Sequence, residues 1–405
     1  MKAILSALAT ANPRRYATQQ EIYHFMAAHF AMEQSERDLY KKLLLEGPIR
    51  GRYISVDEDE EICSQDADFL ISRFARHSRR IAAQAAGAAM KQAGLDASQI
   101  EALIVNTCTG YLCPGLSSYL VEDLGLPAYT AVLDLMGMGC GGAIPNLEAG
   151  CRMIQSGARK TVLCLSVEIC SATFFLGPDP DLIVSNSIFS DGASAAILQA
   201  DLNSDAPGDT VPLVCSVPVR ASEEVASMKC QVSSGRPALQ TSHFELDTSK
   251  ETPHGVTTNG LLHFIDFESV TLPRYREQLR YTTQGGRLRN VLTRNVPVIG
   301  AKAVAQATGR LLERHGLTAD DIHWWAVHPG GTQVLMAVQK HLGLTEETLR
   351  FSYEIFRDYG NMSSPTVMFV LKKILDEAGP KKNDRALLLS FGAGFTAFAA
   401  LVEFP

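Results

Sequence analysis

A cysteine, a histidine and an asparagine hold matching points in two similar stretches of this 405-residue chain. Cys140 lies in Gly139-Cys140-Gly141-Gly142-Ala143-Ile144-Pro145, and Asn361 in Gly360-Asn361-Met362-Ser363-Ser364-Pro365. His328 lies in Val327-His328-Pro329-Gly330-Gly331, where a strand pattern breaks into a glycine turn. A thiol at the amino end of a helix meets unpaired amides and the positive end of the helix dipole, and both favour thiolate. An imidazole and a carboxamide could converge with that nucleophile on one pocket. Each residue also has an ordinary structural explanation: a buried cysteine, a loop histidine, an N-cap asparagine. Their equivalent placement favours the chemical one.

The elements that must position them repeat. Gly94-Leu95-Asp96-Ala97-Ser98-Gln99-Ile100 leads to Val105-Asn106, and Gly316-Leu317-Thr318-Ala319-Asp320-Asp321-Ile322 leads to Val327-His328, each at an offset of 222 positions. Cys140 and Asn361 stand 221 apart. An offset held this closely points to duplication of one folding unit. Each half alternates helix and strand patterns, as a layered α/β fold does. An Ala-rich helix over 79–93 precedes the strand 102–105. A helix from Cys140 to about Ser156 precedes the strands 161–166 and 193–198. In the second half a helix over 299–315 precedes the strand 324–327. Asn361 opens a helix running to about Glu377, before the strands 386–390 and 397–402. The division expected is 1–210 and 211–405, with an irregular excursion at about 217–285 in which Leu261–Phe267 can pack. Halves related by a pseudo-twofold axis bring Cys140 of one to His328 and Asn361 of the other.

Composition narrows the classes. The chain is 46% hydrophobic and 20% charged, ordinary for a globular protein. A net charge of −7 argues against a general nucleic-acid binder. No apolar run reaches the ~20 residues that span a bilayer. Met1–Ala9 reads as a first buried strand rather than a signal peptide. The nine cysteines include no Cys-x-x-Cys pair, and Cys108 and Cys113 have no partners at zinc spacing. Reduced thiols in a cytoplasmic protein, without metal, fit this pattern.

Taken together, Gly-Cys-Gly-Gly, His-Pro-Gly-Gly, Tyr359-Gly360-Asn361-Met362-Ser363-Ser364 and Phe391-Gly392-Ala393-Gly394 resemble the signatures of type III polyketide synthases. This is the chalcone and stilbene synthase family. Thr10-Ala11-Asn12-Pro13, Gly177-Pro178 and Ile188-Phe189-Ser190-Asp191-Gly192-Ala193 extend the resemblance over nearly the whole chain, excepting much of 203–285. It implies a thiolase-like fold with a duplicated five-layer αβαβα arrangement and pseudo-twofold related halves. It also implies a homodimer in which the loop at Cys113 reaches the partner's cavity.

The resemblance implies roles as well. Cys140 takes the acyl group of an acyl-coenzyme A starter as a thioester. His328 pairs with the thiolate and, with Asn361, donates to the thioester carbonyl of malonyl-coenzyme A. Decarboxylation then yields an enolate that extends the chain by two carbons, and cyclisation gives a pyrone, resorcinol or phloroglucinol. No cofactor is expected beyond these coenzyme A thioesters as substrates. Phe189 resembles the gate between coenzyme tunnel and cavity, and Cys108, Cys113, Cys170, Thr173 and Ser363 align with cavity positions. Lys41, Lys42, Arg50 and Arg52 are candidates for the coenzyme phosphates, Lys42 and Arg50 foremost, with Gly330 and Gly331 beside the coenzyme.

Some positions depart from the family. Ser390 and Ala393 replace the first Gly and the Pro of its Gly-Phe-Gly-Pro-Gly loop, and 288–295 contains no second gating Phe. Two alternatives stand beside this reading, an initiating β-ketoacyl synthase of fatty-acid type and a non-catalytic acyl binder of the same fold. His-Pro-Gly-Gly argues against the first, and retention of all three polar groups against the second. A biosynthetic thiolase would need a second cysteine where Ser390 stands. Hydroxymethylglutaryl-coenzyme A synthase would need a catalytic glutamate, and Glu168 reads as structural.

Overall fold

Strands buried on both faces cannot face water, so the chain must sandwich its sheets between helices. A computed structural model describes residues 1–201 and 260–405. Its strands are β1 (Ala3–Ala11), β2 (Arg15–Thr18), β3 (Gly51–Ile54), β4 (Ala102–Asn106), β5 (Ala131–Leu135), β6 (Thr161–Ile169), β7 (Asp191–Ala200), β8 (Leu262–Thr271), β9 (Leu279–Gln284), β10 (Arg287–Leu292), β11 (Trp324–Val327), β12 (Arg385–Gly392) and β13 (Thr396–Glu403). Its helices are α1 (Gln19–His29), α2 (Gln34–Leu45), α3 (Ala67–Ala93), α4 (Leu116–Asp123), α5 (Ala143–Gln155), α6 (Pro180–Ile188), α7 (Val296–Arg314), α8 (Thr332–Leu342), α9 (Arg350–Tyr359) and α10 (Thr366–Glu377).

Nine strands join in the order β11-β12-β13-β8-β1-β7-β6-β4-β5. The same pairing senses occur on both sides of the β8–β1 seam. β4 runs parallel to β6, β6 antiparallel to β7, and β7 antiparallel to β1. Likewise β11 runs parallel to β12, β12 antiparallel to β13, and β13 antiparallel to β8.

Alternation along each strand sends successive side chains into different layers. Leu103 and Leu163 pack with Phe74 and Ile81 of α3 on one outer face. Leu387 and Leu389 pack with Val304 and Leu311 of α7 on the other. Ile104, Leu198, Leu388 and Ala400 instead share one core with Leu147 and Ile154 of α5 and Val367 and Leu371 of α10. Helix, sheet, helices, sheet, helix are the five layers expected.

Four local expectations change. The helix expected from residue 79 begins at Ala67, because Asp66 caps it by accepting from the Phe69 amide at 2.8 Å. It ends where Gly94 takes φ 66°, which a side chain would resist. Cys140 lies in a tight 3₁₀ turn, Gly139–Gly141, ahead of α5. Asn361 does not open a helix: its backbone pairs with Phe189, and α10 starts only at Thr366. Residues 260–285 are not irregular, since β8 sits inside the nine-stranded sheet and buries Leu262, Phe264, Phe267 and Val270. The remainder of that excursion, 217–259, lies outside the described residues.

Candidate active site

The turn after β5 and the loop before α10 meet at one sulfur. Ser363 is held in the left-handed region, φ 58°, where its amide donates to Asn361 Oδ1 at 2.8 Å. Asn and Asp side chains stabilise such turns, but a non-glycine residue there still carries strain. The result aims the Ser363 hydroxyl at Cys140 Sγ, 3.3 Å away. The same oxygen lies 3.4 Å from Cys108 Sγ and 3.3 Å from Glu168 Oε1. Gly392 makes the approach of the C-terminal loop possible. A Cβ there would fall 1.9 Å from the Met138 carbonyl and 3.1 Å from the Cys140 amide.

Asn361 ties the halves together. Its amide donates to the Ile188 carbonyl at 2.9 Å, and its carbonyl accepts from Ser190 at 2.9 Å. Phe189, the expected gate, is thereby fixed beside it. Asn361 Nδ2 makes only a long contact, 3.4 Å, with the Gly330 carbonyl. Gly330 in turn closes a turn on the His328 carbonyl at 3.0 Å. His328 continues the β11 edge, donating its amide to Leu389 O at 2.8 Å. Its ring is buried, and neither nitrogen has a hydrogen-bond partner among the described residues.

The electrostatics correct one expectation. Burial pushes the Cys140 thiol up to about 12, against the smaller lowering effect of the Ser363 hydrogen bond, and the charge of Glu168 raises it further. The resting sulfur is a thiol, because desolvation outweighs the amides of the short turn. Burial also pushes His328 down to about 3, so its imidazole is neutral at physiological pH.

Glu168 is the residue that motif reading undervalued. It is fully buried in β6 and accepts from the Cys108 amide at 2.9 Å, Thr109 Oγ1 at 2.9 Å and Ser364 Oγ at 2.6 Å. Burial raises its carboxyl, and those donors oppose the shift. The available signal was a lone glutamate inside a nine-residue strand that is buried throughout.

The other expected cavity residues divide. Cys108, Cys170, Thr173 and Ser363 gather here; Thr173 Oγ1 donates to the Cys170 carbonyl at 2.9 Å. Tyr281, which motif reading missed, joins them. Burial and the nearby Cys108 and Cys170 thiols hold its phenol well above the usual range, opposed by a hydrogen bond with Thr173. It pairs across β9 and β10 with Asn290, so both side chains share one face. Asn290 itself accepts from Ser185 Oγ at 3.1 Å, in the stretch that lacks a second gating aromatic. Cys113, by contrast, is exposed.

The phosphate candidates do not form a cluster. Lys41 and Lys42 are exposed on α2, while Arg50 pairs with Asp358 at 3.3 Å. Gly330 and Gly331 lead into α8. Arg52 is withdrawn from that role. It is buried and donates to Gln19 Oε1 at 2.9 Å and to the Phe189 carbonyl at 2.6 Å.

Comparison with known proteins agrees with this fold. The structure of 1,3,6,8-tetrahydroxynaphthalene synthase from Streptomyces coelicolor A3(2) aligns with a TM-score of 0.79 at 20% identity, covering 99% of each chain. A polyketide synthase from the brown alga Ectocarpus siliculosus aligns with a TM-score of 0.79 at 22% identity, covering 100% of this chain and 98% of that one. The 3,5-dihydroxyphenylacetyl-CoA synthase of Streptomyces toyocaensis is 29% identical over 90% of this chain and 82% of its own length. The model of FAE1/type III polyketide synthase-like proteins matches residues 11–284, and that of the chalcone and stilbene synthase C-terminal domain matches 271–403. The protein is an acyltransferase-type enzyme with a thiolase-like fold. Within that class, the chain belongs to the type III polyketide synthase family.

Proposed function

We propose that the protein carries out iterative decarboxylative condensation of malonyl-coenzyme A onto an acyl group held on Cys140, followed by cyclisation. The observation that supports this most is a buried neutral imidazole with two unbonded nitrogens, tied through Gly330 to the Asn361 loop that delivers Ser363 to the Cys140 sulfur. Buried polar atoms seldom go unpaired, and those at reactive sites are the usual exceptions.

The charges order the steps. A thiol near 12 and an imidazole near 3 make a preformed ion pair unfavourable. Proton transfer from Cys140 to His328 therefore accompanies attack, as the new carbon–sulfur bond moves negative charge onto the thioester oxygen. Collapse expels coenzyme A, which leaves as the thiol with that proton. His328 is then neutral again and has an N–H to offer.

Malonyl-coenzyme A presents its thioester carbonyl to His328 and to Asn361 Nδ2, whose present bond is weak enough to exchange. Loss of carbon dioxide leaves its electron pair as an enolate, stabilised by both donors. The enolate carbon bonds to the acyl carbon on Cys140, and the carbon–sulfur bond breaks with its electron pair left on sulfur, which takes a proton from solvent to become the thiol again. The product is a β-ketoacyl-coenzyme A two carbons longer, which can return to Cys140.

The duplicated halves supply the nucleophile and the donor pair respectively. A homodimer is part of this reading. Tyr111, Tyr129, Val132 and Met136 are exposed on or beside β5, the edge of the sheet, next to Cys113. Apolar edges of this kind are ordinarily covered. Lys42 and Arg50 remain the proposed phosphate contacts. No helix among the described residues is long and apolar enough to cross a membrane; a cytoplasmic setting suits a reaction that needs a reduced Cys140. Incubation with a panel of acyl-coenzyme A starters plus malonyl-coenzyme A, with products identified by mass, tests the function. Starters returned unextended, with no carbon dioxide released, would refute it.

A further inference from the structure

Arg73 lies where the sequence should place an apolar residue. It falls on the buried stripe of α3 with Leu70, Phe74, His77 and Ile81, at helical spacing, and it is 2% exposed. Its Nη1 donates to the Ser171 carbonyl at 3.1 Å and its Nη2 to the Glu61 carbonyl, while Nε has no partner among the described residues. The Phe69 ring lies 5.3 Å from the guanidinium. Arg73 and Arg52 both line a cavity of about 100 Å³, with Cys170, Thr173 and Phe189 also in its lining. Cys170, part of that lining, is also within electrostatic reach of Cys140.

Three arginines (Arg15, Arg52, Arg73) and three acids (Glu21, Asp59, Asp191) line that cavity, but its buried charges do not balance. Neither Arg52 nor Arg73 pairs with a carboxylate among the described residues, and carbonyl oxygens satisfy geometry but not charge. Asp191 is the buried acid that acts on both, and it already accepts from the Ser55 amide at 2.6 Å and from Ser171 N and Oγ at 2.8 and 2.6 Å. The Glu61 charge also acts on Arg73, but its carboxylate is turned to Arg76, 3.0 Å away. Asp59 is taken by Arg15 at 2.9 Å, and Glu21 caps α1 through Thr18. Two buried cations therefore face one buried anion. Buried charges that lack a counter-charge cost several kcal/mol unless something supplies one. Ile22, Phe25, Met26, Ile62 and Phe174 give an apolar part of the remaining lining, beside the polar Ser171, Ser185, Asn186 and Asn290.

We infer that this cavity takes the far end of a starter acyl group carrying a free carboxylate, with Arg73 as its anchor. The apolar part of the lining accommodates the methylenes, and a guanidinium with a free N–H matches the terminal carboxylate. The inference rests on the condensing function proposed above and specifies its starter class as the mono-thioester of a dicarboxylic acid. Arg73 does not touch the reacting atoms. It is a specificity-determining residue.

The experiment compares matched starters on the intact enzyme. Succinyl-, glutaryl- and adipyl-coenzyme A are set against butyryl-, valeryl- and hexanoyl-coenzyme A, and acyl loading on Cys140 is followed by intact mass. A charge-assisted contact predicts a preference of roughly tenfold or more for the carboxylated member of at least one pair. Arg73→Gln should collapse that ratio toward one. Should the glutamine variant not fold, Arg73→Lys, which keeps the charge without the planar fork, should lower the ratio severalfold. Equal loading of every pair by the wild-type enzyme overturns the inference while leaving the condensing function intact. A wild-type preference that survives Arg73 substitution overturns it as well. If no starter of either kind loads on Cys140, the condensing reading itself fails and this inference with it.

Discussion

The hydroxyl of Ser363 lies 3.3 Å from the sulfur of Cys140, although 223 positions separate the two residues. One oxygen serves Cys140, Cys108 and Glu168 together, so it sets how readily the nucleophile ionises. Its hydrogen bond lowers the Cys140 thiol, whereas the Glu168 charge raises it.

Two substitutions should therefore act in opposite directions. Ser363→Ala should slow alkylation of Cys140 by iodoacetamide at a fixed alkaline pH, and Glu168→Gln should speed it. In the wild-type enzyme the rate should keep rising with pH towards about 12, the level to which burial pushes the thiol. Peptide mass mapping assigns the label to Cys140. A plateau near neutral pH would mean a resting thiolate.

Loss of either donor should fall on decarboxylation. His328→Ala or Asn361→Ala should cost roughly 2.7–4 kcal/mol of barrier, about a hundredfold to a thousandfold in rate. Carbon dioxide release from labelled malonyl-coenzyme A gives the measurement. Wild-type release by Asn361→Ala would remove that residue from its role.

Acid should weaken the fold before the carboxylates titrate. His328 is held at about 3 and His77 at about 4, mainly by burial, against 6.5 for an exposed imidazole. Each takes a proton in the unfolded chain while the folded chain refuses it, so stability is present above pH 6.5 and falls as pH drops below it. The slope is about 1.4 kcal/mol per pH unit for each imidazole. Urea unfolding at successive pH values should show this slope, and His328→Gln should remove about half of it.

The exposed edge provides a test of assembly. Tyr129 is 78% and Val132 50% exposed at the β5 margin. Val132→Arg should shift the sedimenting species from dimer to monomer. A wild-type monomer with full activity would contradict the dimer.

The repeat made the core of this site legible, because duplicated backbone leaves a duplicated pattern of glycines and strand ends. From it came the strands around Asn106 and His328 and the meeting of Cys140 with the Asn361 loop. Four features stayed hidden, each for a physical reason. The resting charge of Cys140 depends on burial, which no local motif encodes. The left-handed turn at Ser363 has no glycine to announce it. Tyr281 and Asn290 face the cavity only through pairing of β9 with β10, in a stretch that read as irregular or merely short of an aromatic. Glu168 was visible as a charge inside an apolar strand, while Arg73 lay ahead of the helix the sequence marked out, and only tertiary packing shows what surrounds them.

The central claim is that the acyl chain is carried by the Cys140 sulfur. Enzyme quenched during turnover and digested should yield the acyl mass on the peptide bearing Cys140, and Cys140→Ala should yield none. Acyl mass that persists in Cys140→Ala, or that maps to Cys108 in the wild type, would contradict it.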